Sequence, residues 1–284
     1  MSPRSLRAAA RGCALIPPVA TVLRPARASW TPATPRKGPV LVLGLDEIGS
    51  AVAHRLFAAG YAVALHDEAA GSVLRRGMSF ADAAAEGFAR LEGIGAQRLH
   101  DPGALPDRLR AAPAIPVLGM DAAAALTAAP WRVIVDARPG AHPLPEVLRG
   151  LAPLTIGVGP GFVAGETTDV VVETLPALPH PNPQHAAVLG APMGGLFRTL
   201  LGLGRRVPRG KFIGMVGNAL LWAPHDGVLT GLLRNGTPVT RGTRLAEVDP
   251  RGDAACAFGI APHPRRVAEG VLHAIEGAGP AAPP

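Results

Sequence analysis

The sequence predicts an α/β domain built on a parallel sheet, followed by an all-β domain. Two observations carry this. Residues 40–68, "VLVLGLDEIGSAVAHRLFAAGYAVALHDE", read as strand, glycine turn, helix and strand, a βαβ start that implies parallel strands covered by helices. Residues 191–216 and 223–248 align at an offset of 32 with ten identities, and self-similarity at a fixed offset marks a repeated structural unit.

The first element is the apolar run 40–43, opened into a turn by Gly44. From Ile48 the apolar positions Ile48, Val52, Leu56 and Phe57 recur at helical spacing, Gly60 ends the helix, and Tyr61 to Leu65 form the next strand. Ala-rich stretches at 81–89 and 121–129 read as helices, and "ARLEGIGAQRL" (89–99) as a small hairpin. "IPVL" (115–118), "WRVIVDAR" (131–138), "LTIGVGPGF" (154–162) and "DVVVET" (169–174) read as strands of the same sheet. The proline-rich segment within 176–190 is a linker by composition.

The repeat follows. "APMGGLFRTLLGLGRRVPRGKFIGMV" and "APHDGVLTGLLRNGTPVTRGTRLAEV" share Ala, Pro, Gly, Leu, Leu, Gly, Val, Arg, Gly and Val in fixed register. Each copy reads as short strands separated by turn glycines. Two such units related by a pseudo-twofold resemble the biotinyl/lipoyl-carrier barrel-sandwich. In carriers of that type the modified lysine sits on the hairpin between the halves; here that hairpin is "GMVGNALL" (214–221), with a Gly217-Asn218 turn and no lysine, and Lys211 lies on a different turn. The expected organisation is a tail over 1–37, a Rossmann-like α/β domain over 38–175, a linker over 176–190, the barrel-sandwich over 191–253, and a C-terminal extension with a short helix over 254–284.

The net charge of +7 is confined to the tail. Residues 1–37 carry Arg4, Arg7, Arg11, Arg24, Arg27, Arg36 and Lys37 and no acid, so the remaining basic and acidic side chains cancel. The basic pI is therefore no argument for nucleic acid as a partner. No apolar run approaches the roughly 20 residues of a membrane span. The tail imitates a signal peptide with an A-x-A at Ala26 to Ala28, but Pro17 and Pro18 break its apolar stretch, which favours a disordered extension or mis-set start over the targeting-like alternative. Cys13 and Cys256 form no metal or disulfide framework, and no histidine spacing marks a metal site. The cytoplasm is the expected compartment.

Several strings, in order, resemble the YqeB-like accessory proteins of the selenium-dependent molybdenum hydroxylase system. They are "AVAHRLFAAGYAV", "LRRGMSFADA" (74–83), "VIVDAR" (133–138), "IGVGPGF" (156–162), "VVVET" (170–174), the run 223–253 and "VLHAIE" (271–276). The resemblance implies a Rossmann-like half followed by a barrel-sandwich half. It implies a role in maturation of a molybdenum hydroxylase, through binding molybdopterin cofactor or the client enzyme, without naming a reaction or demonstrating selenium. Two departures fall at the crevice end of the sheet: Leu45, Asp46 and Glu47 stand where the family's first turn is glycine-rich, and Pro139 and Gly140 follow "DAR".

Candidate cofactor-binding residues follow from residue type and position. Gly44 and Gly49 bracket a turn whose helix N-terminus would face an anion, although a dinucleotide loop needs its middle glycine where Asp46 stands. Asp67 occupies the place of a ribose-binding acid. Arg75 and Arg76 suit a phosphate or the anionic tail of a pterin, against the alternative of a solvated loop. Asp136 and Arg138 end an apolar strand on one side of it, and either meet a ligand or pair with each other. Gly159 and Gly161 fit an anion nest. Glu173 lacks an identifiable catalytic partner, and Cys256 reads more readily as a buried small side chain than as a sulfur or selenium acceptor. No nucleophile–base constellation is legible, so the maturation factor that the resemblance implies is the leading expectation. The alternative is an NAD(P)- or ATP-dependent enzyme using the Rossmann-like half.

Overall fold

The computed structural model describes residues 36–68, 70–111, 113–138, 147–174 and 186–278. The expected tail up to residue 35, Cys13, Pro139 and Gly140, and residues 176–185 of the expected linker lie outside the described residues, while Lys37 of the expected tail and residues 187–190 of the expected linker are strand. Those described all belong to one contact unit.

The chain opens with β1 (Lys37–Leu43), α1 (Glu47–Ala58) and β2 (Tyr61–His66). Asp46 caps α1, accepting from the N–H groups of Ile48 and Gly49, and Gly60 at φ 90° turns the chain into β2. Next come α2 (Ala81–Glu86) and a hairpin of β3 (Phe88–Leu91) and β4 (Ile94–Leu99). Glu92 and Gly93 take φ 41° and 87° at its tip, the positive values a two-residue hairpin turn of the favoured twist requires. Then follow α3 (Leu105–Ala111), β5 (Ala114–Leu118), α4 (Ala122–Thr127), β6 (Val133–Asp136), β7 (Leu154–Val158) and β8 (Val170–Val172).

These strands make one eight-stranded sheet in the order β3-β4-β5-β2-β1-β6-β7-β8. Every pairing is parallel except that of β3 with β4. From β5 to β8 the order is third, second, first, fourth, fifth, sixth of a doubly wound sheet, with its reversal between β1 and β6. Val40 and Val42 face one side with α1, while Leu41 and Leu43 face the other with Leu105, Leu109 and Trp131. β1 is thus buried on both faces, as a central parallel strand must be.

The second half contains β9 (Ala187–Gly190), β10 (Gly195–Arg198), β11 (Arg206–Val207) and β12 (Phe212–Val216), then β13 (Ala219–Trp222), β14 (Gly227–Leu232), β15 (Pro238–Val239) and β16 (Arg244–Asp249). They form two four-stranded sheets, β13-β12-β10-β15 and β11-β14-β16-β9. The offset of 32 governs the pairing. Gly195 pairs with Val239 while Gly227 pairs with Val207; Phe212 pairs with Trp222 while Arg244 pairs with Gly190. Each partner in the first member of these couples is its counterpart in the second shifted by one repeat, so the copies exchange strands reciprocally. The duplication legible over 191–216 and 223–248 reaches back to β9 and β13. The space between the sheets is filled by Phe197, Ile213, Val216, Leu229, Leu245 and Val248.

The chain then returns to the wound layer. Beyond residue 253, where the sequence led us to expect an extension with a short helix, lies α5 (Pro262–Gly277), 16 residues long. Its buried stripe of Val267, Ala268, Val271, Leu272 and Ile275 joins the core that contains Val52 and Leu56 of α1 and Ile156 of β7.

Candidate functional site

The crevice at the reversal of strand order is where a doubly wound sheet holds its ligand. Gly44, Gly49, Asp136, Arg138 and Gly159 come to this C-terminal edge of the sheet. Gly44 sits at φ 118°, and a side chain there would press on the backbone of Ala137 and Arg138 at 3.2–3.3 Å. A side chain on Gly49 would collide with the Gly44 carbonyl. These two glycines serve a tight turn and close helix–strand packing, the first and third roles in a dinucleotide loop.

The middle role is filled otherwise. Asp46 Oδ1 accepts from Ile48 N at 3.0 Å and Gly49 N at 2.9 Å, and Asp67 Oδ2 accepts from Leu45 N at 2.9 Å. The N–H groups that would cradle a pyrophosphate are therefore engaged by the chain's own carboxylates. Burial pushes the Asp46 carboxyl up to about 7; neighbouring Glu47 and Asp67 add to this against the opposing N–H donors.

Asp136 and Arg138 meet each other. The guanidinium grips both carboxylate oxygens, with Nε to Oδ1 at 2.8 Å, and the pair is buried. Gly159 and Gly161 have φ 93° and 104°, and Gly159 N donates to Val172 O. They shape the return that lays Phe162 over Gly157, where a Cβ would strike the ring.

Arg75 and Arg76 lie in the loop after β2, which reaches from the start of α1 to the β sheets and fastens the wound layer to them. Arg75 Nη2 meets Glu247 Oε1 at 2.7 Å and Nη1 meets Glu47 Oε2 at 3.1 Å. Burial works against this guanidinium, but Glu247 and Glu47 outweigh it and hold the group above the ordinary arginine value. Arg76 binds both oxygens of Asp82 and donates to Leu232 O at 3.0 Å. Leu232 N donates to Leu74 O at 2.9 Å, and Arg234 pairs with Asp82 and Glu86.

Beside this junction opens a cleft of about 680 Å³. Its walls come from the start of α1, the Arg75 loop, β14, β16 and the chain leading into α5. Glu47, Glu247, Asp249 and Asp253 give it carboxylates; Arg75, Arg251 and Arg266 give it cations; Thr230, Cys256 and His263 also line it. Glu247 and Asp249 are buried. Thr230 Oγ1 donates to Glu247 Oε1 at 3.2 Å, and Arg251 is clamped on Asp249, which raises the guanidinium above its ordinary value. Such a surface suits a small molecule that carries both hydrogen-bond donors and anionic oxygens.

Glu47, Thr230, Glu247, Arg251 and Arg266 were not singled out as binding residues by sequence. Glu247 had a signal: one repeat earlier its place is taken by Met215, so an acid has entered a strand position that tolerates an apolar side chain. Cys256 is partly exposed on the cleft wall rather than buried, with Sγ 3.9 Å from Asp253 Oδ2. Among the described residues no group of three or more His, Cys, Asp or Glu side chains is placed to hold a metal ion. Nor is any helix among them long and apolar enough to cross a membrane.

No family model matches the sequence. The chain is similar to the "Uncharacterized protein YqeB" of Escherichia coli (strain K12), 31% identical over 255 residues. That alignment covers 83% of this chain and 47% of the relative, so the chain spans about half the length of the curated relative it matches.

Proposed function

We propose that this chain is a YqeB-like accessory factor that binds a small anionic heterocyclic ligand in the cleft between its wound layer and its duplicated β module. Molybdopterin cofactor is the ligand the sequence resemblance implies, and maturation of a molybdenum hydroxylase is the corresponding role. The observation that carries the reading is the cleft itself. Its volume of about 680 Å³ lies within the usual range for small-molecule sites. Buried Glu247 and Asp249 offer acceptors for the donor edge of a pterin, and exposed Arg266 offers a cation for its phosphate. The reciprocal exchange of strands at an offset of 32 supports a barrel-sandwich assignment for the β module, and the absence of lysine from its 214–221 hairpin favours a rigid module over a swinging carrier arm. Under this reading, anaerobic titration of the purified protein with molybdopterin cofactor shows saturable binding, and Arg266→Glu weakens it tenfold or more. No binding to cofactor or to a molybdenum hydroxylase client rejects the reading.

The strand order of the wound sheet favours a second reading, binding of NAD(P) or ATP at the β1–α1 turn. Asp46 opposes it by occupying the helix N–H groups. A thermal-shift series with NAD(P) and ATP decides: a flat response for the native chain, with a rise only in the Leu45→Gly/Asp46→Gly variant, marks a dinucleotide site that has been lost.

A further inference from the structure

The duplicated β module has two equivalent outer faces, and the described residues of the wound layer cover one of them. On the sheet β11-β14-β16-β9 that face carries Thr230 and Glu247, and it is covered through Arg75 and Leu74. One repeat earlier, on β13-β12-β10-β15, Thr230 becomes Arg198 and Glu247 becomes Met215. There Arg198 pairs with Met215 and Met215 with Leu220, placing the three in a row across the sheet. Phe212 and Trp222 stand beside them as an edge-to-face pair at 5.5 Å. Leu196 is 44% exposed, Leu220 and Trp222 each 50%, and Leu200 99%. Among the described residues strand β13 is also an edge, paired only with β12.

We propose that this second face docks another protein, one that presents carboxylates among apolar side chains. Charge complementarity identifies the partner. Residues 186–225 carry no acid; of their five basic residues Arg198 is on this face, Arg209 and Lys211 are in the turn that leads into β12, and Arg205 and Arg206 are at β11 of the other sheet. All five are exposed, and none takes part in a salt bridge with the described residues. Arg198 is decisive, because it stands within the apolar row. A partner that covers the row must desolvate it, and a desolvated guanidinium needs a carboxylate. A second copy docking through the same face would bring Arg198 no carboxylate, since residues 186–225 contain none. A membrane would take it towards hydrocarbon at a cost of roughly 3 kcal/mol or more. An acidic protein surface, or an acidic strand added along the edge of β13, meets both the charge and the apolar area.

This inference concerns the β module and does not depend on what fills the cleft. It is tested by selecting displayed peptides against the full chain and measuring the enriched sequences on native protein, Leu220→Ser/Trp222→Ser and Arg198→Glu. These positions are exposed, so equal thermal midpoints confirm that the variants are folded. The expected binders alternate acidic and apolar residues, weaken tenfold or more on either variant, and regain affinity for Arg198→Glu when lysine replaces their acids. The proposal is overturned if nothing is enriched, if binders show no acidic bias, or if they ignore the variants. It is equally overturned if sedimentation shows self-association that Trp222→Ser abolishes, or if the native chain binds phosphatidylglycerol vesicles through this face.

Discussion

Asp46 shows how one side chain alters the use of a familiar turn. A glycine there would leave the α1 N–H groups to a ligand; the aspartate takes two of them itself. It does so at an electrostatic cost, since burial raises its carboxyl from an ordinary 3.8 to about 7. The folded state therefore holds this proton more tightly than the unfolded chain. That contribution to stability is complete below about pH 4 and is lost as pH rises through about 7. Asparagine caps as well as aspartate without ionising. Asp46→Asn is thus expected to match the native chain at pH 4 and to exceed it at pH 8, by on the order of 4 kcal/mol at most. Urea unfolding across this range checks it; equal pH slopes for the two chains reject the assignment. Arg75 makes the complementary case. Its removal leaves Glu247 buried without its cation, which typically costs about 3–5 kcal/mol, so Arg75→Met is expected to be severely destabilised. Adding Glu247→Leu should recover much of the loss, and a double-mutant cycle measures the coupling. An acidic helix start at Asp46 was legible, since carboxylates favour helix N-termini; the role of Arg75 was not, and "RR" at 75 and 76 reads as an anion clamp or a solvated loop because the acid that engages Arg75 most closely lies 172 residues away.

At the level of elements, local pattern was a sound guide wherever the contacts are local. The β1–α1–β2 unit, the hairpin at 88–99 and the strands β5 to β8 follow from apolar runs punctuated by glycine and proline. The duplication was legible because both copies keep the same turn glycines; Gly210 and Gly242, one repeat apart, have φ 75° and 86°. What the pattern withheld is which strand pairs with which. Nothing in either copy alone states that β10 pairs with β15, in the other copy, as well as with β12 in its own. The length and place of α5 were withheld for the same reason. Its stripe is complementary to α1, an element some 200 residues earlier in the sequence. Val271 is fully buried in that contact. Val271→Ala removes two methyl groups from a packed core and is expected to cost about 1–3 kcal/mol. The same substitution at the exposed Leu200 position is expected to leave stability within about 0.5 kcal/mol. Chemical denaturation of the two variants decides whether α5 belongs to the wound layer's core.

At the scale of the whole chain, the path is the informative feature. The wound layer is left after β8 and rejoined only at α5, so the duplicated β module is inserted within it rather than appended. The β module closes its own core between its two sheets, and among the described residues Leu74 is the one side chain from the wound layer that joins it. The wound layer, by contrast, counts five residues of α5 in its principal core. The dependence should therefore be one-sided. A chain ended after Asp253 loses α5 and uncovers the side of α1 that α5 packs against; it is expected to lose the tertiary signals of the wound layer. Residues 186–253 expressed alone retain both four-stranded sheets and are expected to fold, at reduced stability because Glu247 and Leu232 lose Arg75 and Arg76. Near-ultraviolet circular dichroism follows the truncated chain through Trp131, which is buried in the wound layer. Amide dispersion in nuclear magnetic resonance follows the excised module. If the module is unfolded while the truncated chain keeps a native Trp131 signal, the order of dependence is the reverse, and α5 is a cover rather than a part of the layer.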